Sequence, residues 1–316
     1  MSLQRYLIKR LLLTVFILFS VSVLTFSLVA LLPGNVVDFI LQFQDVTPEL
    51  RAELYAQYNL DEPIWTRYIL WVTDAIQGDF GESIISDRNV GAAIAGRLPQ
   101  TILLGVFGFV ISMGIGIPAG AISAVKKGET TDEVSRVLAL LGIATPNFWL
   151  GLMLILVFSV QLGWFRVIPP VDIPLLSFPM LKFMILPAIT LGTASAALIM
   201  RLTRSAMLEQ LNKDYVRTAR AKGLSERTVI IKHVLRNSLI SVVTVAALQI
   251  AFIVDGTVVV EQVFSWPGVG RLLIQAITQR DFPIIQAVVL LVATTIVFAN
   301  LIADLIYSVL DPRIRY

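Results

Sequence analysis

TILLGVFGFVISMGIGIPAGAISAV, from Thr101 to Val125, runs for 25 positions without one charged side chain. A helix rises 1.5 Å per residue, so about 20 apolar residues cross the roughly 30 Å hydrocarbon layer of a bilayer. This stretch predicts a membrane span. Inside it Gly108, Ser112, Gly116, Gly120 and Ala124 recur at every fourth position and lay a groove of small side chains along one helix face. In lipid no hydrophobic force draws helices together, and such grooves let a second backbone approach closely. The groove is therefore read as a helix-packing face, with a place on a permeation path as the other reading. Ala188, Gly192 and Ala196 repeat the device further along the chain.

Working outward, five more stretches meet the same length criterion: Leu11 to Leu32, Val137 to Leu162, Met184 to Thr203, Leu239 to Val260 and Ile284 to Val309. The expected fold class is an all-α integral membrane protein with about six transmembrane helices. Composition agrees, since 56% of the side chains are hydrophobic and 15% charged, against about 25% charged in soluble domains. The first stretch follows Arg5, Lys9 and Arg10. It is too long for a secretory h-region and reaches Pro33-Gly34 without a small-residue cleavage site, so it is expected to be retained. Lys and Arg collect on the cytoplasmic side of a membrane protein. With the N-terminus inside, cytoplasmic segments hold about 17 of them and outer segments about 8, which places both termini in the cytoplasm. The chain thus divides into a cytoplasmic start with the first span (1–32), an extracytoplasmic loop (33–98) and a five-helix core (99–316) with an inner loop at about 204–238.

The outer loop has two helical patterns, Pro48 to Tyr58 and Pro63 to Gln77. In the second, Trp65, Tyr68, Val72 and Ile76 form an aromatic and apolar stripe. Such a stripe suits a helix lying flat at the membrane surface, or a cap packed on the tops of the spans. In the third span Pro146 removes a helical hydrogen bond and is expected to bend the helix, with Thr145 available to satisfy a freed backbone group.

The chemistry open to this chain is limited. It contains no cysteine and a single histidine, His233, which removes disulfide frameworks, thiolate metal sites and most histidine-based catalysis. No metal site and no catalytic residue are expected. The net charge of +3 gives no reason to expect nucleic acid as a partner. There is no phosphate loop of the Gly-x4-Gly-Lys-Ser/Thr type. Carboxylates at lipid depth need a partner or a wet cavity. Asp304, near the cytoplasmic end of the last span, is expected to form a structural ion pair with Arg201 and Arg204, with a transport role as the other reading. Asp255 lies about 16 residues, or about 24 Å, into the fifth span, where facing lipid would cost about 2.5 to 3.5 kcal/mol. A buried pair and a pathway position both fit it. Asp255 and Glu261 are the candidate pathway residues.

The inner loop reads as two short helices. Asn212 is expected to cap the first, Asp214 suits its N-terminal dipole and Gly223 takes the left-handed position that ends it. Ser225 then caps a second helix that runs into the fifth span. Lys213, Arg217, Arg220, Lys222, Arg227, Lys232 and Arg236 make the hairpin basic. By composition alone that charge serves equally as a topology signal or as a surface for anionic lipid.

DYVRTARAKGL (Asp214 to Leu224) followed by KHVLRNSL (Lys232 to Leu239) resembles the cytoplasmic coupling loop of ABC importer permeases. Arg217 and Thr218 stand where many importers have Glu and Ala, a departure found in the dipeptide/oligopeptide branch. LPGN (Leu32 to Asn35), Tyr58, Asp61, Pro63 and Tyr68 leading to GDFGES (Gly78 to Ser83), ATPNFWLG (Ala144 to Gly151), FSWPGVG (Phe264 to Gly270), RDFP (Arg280 to Pro283) and LDPRIRY (Leu310 to Tyr316) extend the resemblance over nearly the whole chain. The long loop after the first span resembles the B-type of the two permease subunits.

The resemblance implies the type I importer architecture in a prokaryotic cytoplasmic (inner) membrane. It also implies a C-type permease partner, two ATPase subunits and an extracytoplasmic substrate-binding protein. Tyr215, Arg217, Thr218, Ala219, Arg220 and Gly223 would then form the ATPase-coupling surface. ATP and Mg would be bound by the ATPases, with no cofactor on this chain. Di- or oligopeptides are the expected cargo; nickel complexes, oligosaccharides and glutathione occur in the same family. An ion-coupled secondary transporter is the competing class, although no internal repeat of the kind such transporters show is present. An intramembrane enzyme would need convergent polar groups, and Asp255 and Asp304 fall near opposite faces.

Overall fold

The structure, a computed structural model, describes residues 3–31, 37, 41, 47–168 and 174–310, with side chains placed for these except at 3–7, 57, 247–255 and 302–310. Among the described residues the chain is helical apart from turns, loops and one isolated bridge between Glu82 and Asn89. The long apolar helices are α1 (Leu3–Ala30), α5 (Leu98–Val125), α8 (Phe178–Leu211), α11 (Arg236–Val263) and α13 (Phe282–Leu310). Among the described residues five helices are long and apolar enough to cross a membrane, and six spans result if one bent helix pair counts as a span.

That pair corrects the reading of Pro146. The residue does not merely bend a continuous helix: α6 (Thr130–Ala144) stops, and α7 (Asn147–Leu154) leaves at 106°. Proline disfavours the helical conformation in the residue before it, and Thr145 is extended at ψ 122°. The Thr145 amide and hydroxyl both donate to the Leu141 carbonyl, at 2.9 and 2.7 Å, so the end of α6 is satisfied without the next turn. A π-helical stretch, Ile155–Gln161, continues α7.

By internal contacts the chain forms two compact units. Of the described residues, one unit comprises those up to 99 together with 267–301. It contains α1, α2 (Pro48–Gln57), α3 (Ile64–Ile76), α4 (Val90–Ala95), α12 (Val269–Gln279) and most of α13. The stripe on α3 divides: Trp65 and Ile76 are exposed, whereas the Tyr68 hydroxyl is 2.8 Å from the Ser22 hydroxyl of α1 and Phe26 packs on Tyr68 and Trp71. The packing face is thus turned by one position from the sequence stripe. Val90, Ile94, Leu272, Ile284 and Val288 form this unit's buried core. Buried Asp281 ties the outer loop down, accepting from the Ser83 hydroxyl at 2.5 Å.

The second unit comprises the described residues of 100–266 and 302–310. Its main core gathers Leu104, Met184, Leu191, Val260, Phe264 and Trp266, and the Trp266 indole donates to the Gln100 carbonyl at 3.1 Å. The small-residue face of α5 lies directly on α8. A Cβ added at Gly116 would sit 2.6 Å from the Ala196 carbonyl oxygen, and one at Gly120 would sit 2.5 Å from that of Met200. Gly108 and Ser112 are buried on the same face, with Gly108 against Leu191. Only a missing side chain permits two backbones to come this close.

Candidate functional site

The cytoplasmic hairpin is built from the end of α8, then α9 (Asp214–Ala221), a turn, and α10 (Glu226–Thr228), which passes through a π-helical stretch (Val229–Leu235) into α11. Asn212 does not cap α9. It closes α8 and turns its amide back to the Leu208 carbonyl at 3.0 Å, while Lys213 occupies the N-cap position. The local sequence NKD contains one residue more than a direct Asn cap requires. Asp214 stands in the first turn of α9, where a carboxylate meets the positive end of the helix dipole. The Thr218 hydroxyl donates to the Asp214 carbonyl at 3.0 Å. Gly223 takes φ +75°, the left-handed conformation that ends a helix at little cost only for glycine. Ser225 precedes α10 with its hydroxyl 2.8 Å from that of Thr228.

Arg220 spans the turn. It donates from Nε and Nη2 to the two Glu226 oxygens at 3.0 and 2.6 Å. These hydrogen bonds hold the guanidinium pKa above its ordinary value. Tyr215 donates to Gln210 Oε1 at 2.9 Å. Arg217 is 3.4 Å from Asp214, and both side chains are largely exposed, at 76% and 96%.

One residue of the expected coupling surface faces the other way. Ala219 is only 6% exposed and packs with Val216 among Ala124, Met207, Val229 and Val234. Val216 and Ala219, three positions apart, form the underside that glues α9 to the protein, a helical spacing already present in the sequence. Tyr215, Arg217, Thr218, Arg220, Lys222 and Gly223 remain on the outside. The outward face is therefore basic and polar over an apolar anchor.

The other named residues separate. Arg204 is held by Asp132: its Nε and Nη2 donate to the two carboxylate oxygens at 2.7 and 2.9 Å. Arg201 is exposed. Asp304 and Asp255 lie in α13 and α11, and their side chains are outside the described residues. Glu261 is fully buried in the interior of its unit and accepts from the Thr101 hydroxyl at 2.7 Å. Asp132 was missed by sequence reasoning, because 72 positions separate it from Arg204 and no local pattern joins them. Among the described residues no cluster of three or more His, Asp or Glu side chains could hold a metal ion.

Residues 116–316 match the family model described as the inner membrane component of binding-protein-dependent transport systems, and residues 3–105 match the N-terminal model of the same component. The chain belongs to this family. The permease is 40% identical over 314 residues to the oligopeptide transport system permease protein AppB of Bacillus subtilis, covering 98% of this chain and 99% of that protein. It is 42% identical over 315 residues to the glutathione transport system permease protein GsiC of Escherichia coli K12, with the same coverage. A chain of the inward-facing MetNI methionine ABC transporter shares its fold, with a TM-score of 0.53 and 16% identity over 69% of this permease and 96% of that chain. The permease is thus a multi-pass inner membrane subunit of an ABC importer and works with other subunits of that system. It is not itself an enzyme, ATP hydrolysis being the task of partner subunits. Membership sets aside an ion-coupled secondary transporter.

Proposed function

We propose that this permease pairs with a C-type permease to enclose a pathway for di- and oligopeptides. An extracytoplasmic binding protein would deliver the cargo, and two ATPase subunits, which bind the ATP and Mg, would drive the cycle. Peptide cargo is supported by identity of 40% and 42% to AppB and GsiC over nearly the full chain; glutathione is itself a tripeptide. The coupling role is carried by one observation, the basic outward face of α9 over its buried Val216 and Ala219 anchor. A face of this kind offers guanidinium donors to carboxylates on a partner, while the anchor passes a push on α9 into the membrane helices. Closure of the ATPases on nucleotide would move the two permeases as rigid bodies between inward-open and outward-open forms.

Gly223→Pro tests the coupling. Proline cannot adopt φ +75°, so the turn must rebuild while the spans are untouched. The expected result in proteoliposomes is an inserted permease whose peptide uptake and substrate-stimulated ATP hydrolysis are both lost. Hydrolysis at the parental rate would contradict the assignment. For cargo, uptake of a labelled dipeptide with the cognate binding protein is expected, and uptake of glutathione alone would narrow the reading to that substrate.

A further inference from the structure

The cytoplasmic ends of three spans converge on one carboxylate. Asp132, in the first turn of α6, is 1% exposed. It accepts from the Ser123 hydroxyl at the end of α5 at 2.6 Å and from the Gly128 amide at 3.0 Å. It also takes both guanidinium bonds of Arg204 on α8, and Arg136 lies at 3.8 Å. A bidentate guanidinium–carboxylate pair fixes orientation as well as distance. The net stability gained from a buried pair is small, because desolvation offsets most of the attraction. What such a pair supplies is position.

Position matters here because of what lies on either side. Seven residues beyond Arg204, α8 ends and passes through Asn212 and Lys213 into α9. Ala124 of α5 and Met207 of α8 belong to the same buried cluster as Val216, Ala219, Val229 and Val234, so the hairpin and the ends of α5 and α8 form one packed block. On the other side, α6 leads to the 106° break and α7. There Gly151 packs against Phe264 and Val263 in the main core of the unit. Asp132 is thus the hydrogen-bonded joint between the hairpin block and the broken third span.

We propose that Asp132 and Arg204 are positioning residues that carry movement of the cytoplasmic hairpin into α6 and the helix beyond its break. This rests on the reading of α9 as the ATPase docking element. α6 also packs on α8 through Ala139 and Gly142, against Ala197, Met200 and Thr193; the joint adds a fixed orientation at the Asp132 end of that contact. Without it, nucleotide closure still displaces the hairpin, but α6 follows it less closely.

The test uses the complete importer in proteoliposomes, with labelled peptide uptake and ATP hydrolysis measured together. In the double variant Asp132→Asn with Arg204→Gln, which leaves no orphan charge, transport per ATP hydrolysed is expected to fall about tenfold while hydrolysis stays within about twofold of the parent. The chain has no native cysteine, so Asp132→Cys with Arg204→Cys can be bridged by a short bifunctional thiol reagent. Bridging is expected to restore the ratio toward the parental value, which a purely structural role would not predict. An unchanged ratio in the assembled double variant overturns the proposal. So does loss of assembly in both that variant and Arg204→Lys, since the pair would then serve folding alone. A crosslink from Thr218→Cys to the ATPase in the same preparation separates the premises. Its absence sinks the docking reading, whereas its presence with an unchanged ratio sinks only the joint.

Discussion

Two arginine–carboxylate pairs have nearly the same geometry, and their arginines stand 16 positions apart in sequence. Arg204 grips Asp132 at 2.7 and 2.9 Å, and Arg220 grips Glu226 at 3.0 and 2.6 Å. Their surroundings differ. The Asp132 side chain is 2% exposed, and its carboxylate also holds a hydroxyl and a backbone amide. The Arg220 and Glu226 side chains are about half exposed, at 44% and 56%. Distance alone therefore says little about what a pair does. Burial makes the first intolerant of losing one partner, while water and salt share the work of the second.

The largest effect should follow Asp132→Ala, which strands a guanidinium in a part-buried site. Breaking a buried pair from one side costs about 3–5 kcal/mol, and because Arg204 retains 21% exposure the lower end, about 3 kcal/mol, is expected in detergent-solubilised thermal or denaturant unfolding. Asp132→Asn with Arg204→Gln should cost clearly less than Asp132→Ala, since no charge is left unpaired; an equal loss would show that geometry, not desolvation, governs the site. Gly223→Ala should cost about 1 kcal/mol, the penalty for a side chain in the left-handed region. Smallest is Glu226→Gln, expected to change stability by less than about 1 kcal/mol and to lose even that effect in high salt. A Glu226→Gln loss as large as that of Asp132→Ala would abolish the contrast between the two pairs.

The spans were legible because the constraint behind them is severe: backbone in hydrocarbon must be helical and its side chains apolar. The same holds for the face formed by Gly108, Ser112, Gly116 and Gly120, whose four-residue repeat is a surface property of one helix. Gly223 was legible because a turn of that kind needs a residue free to take positive φ. What sequence reasoning left out is tertiary. The carboxylate that holds Arg204 comes from the first turn of α6, 72 positions away, and nothing local distinguishes Asp132 from its neighbours Glu129 and Glu133. The resemblance places Ala219 on the coupling surface with its neighbours, whereas the structure buries it. Its spacing from Val216 marks it as part of the anchor. Pro146 marks the break in the sequence, but the size of the break depends on Thr145 closing α6 on itself, a choice between two conformations that composition does not make.

The central claim is that α9 meets a nucleotide-driven partner with its outward face. Single cysteines at Thr218 and Ala219, introduced into a chain that has none, test it most directly in the assembled importer. A short crosslinker is expected to join Thr218→Cys to an ATP-hydrolysing subunit and to leave Ala219→Cys, 6% exposed, unreacted. Reaction from Ala219→Cys with none from Thr218→Cys, or capture of no ATPase from either, would contradict the account.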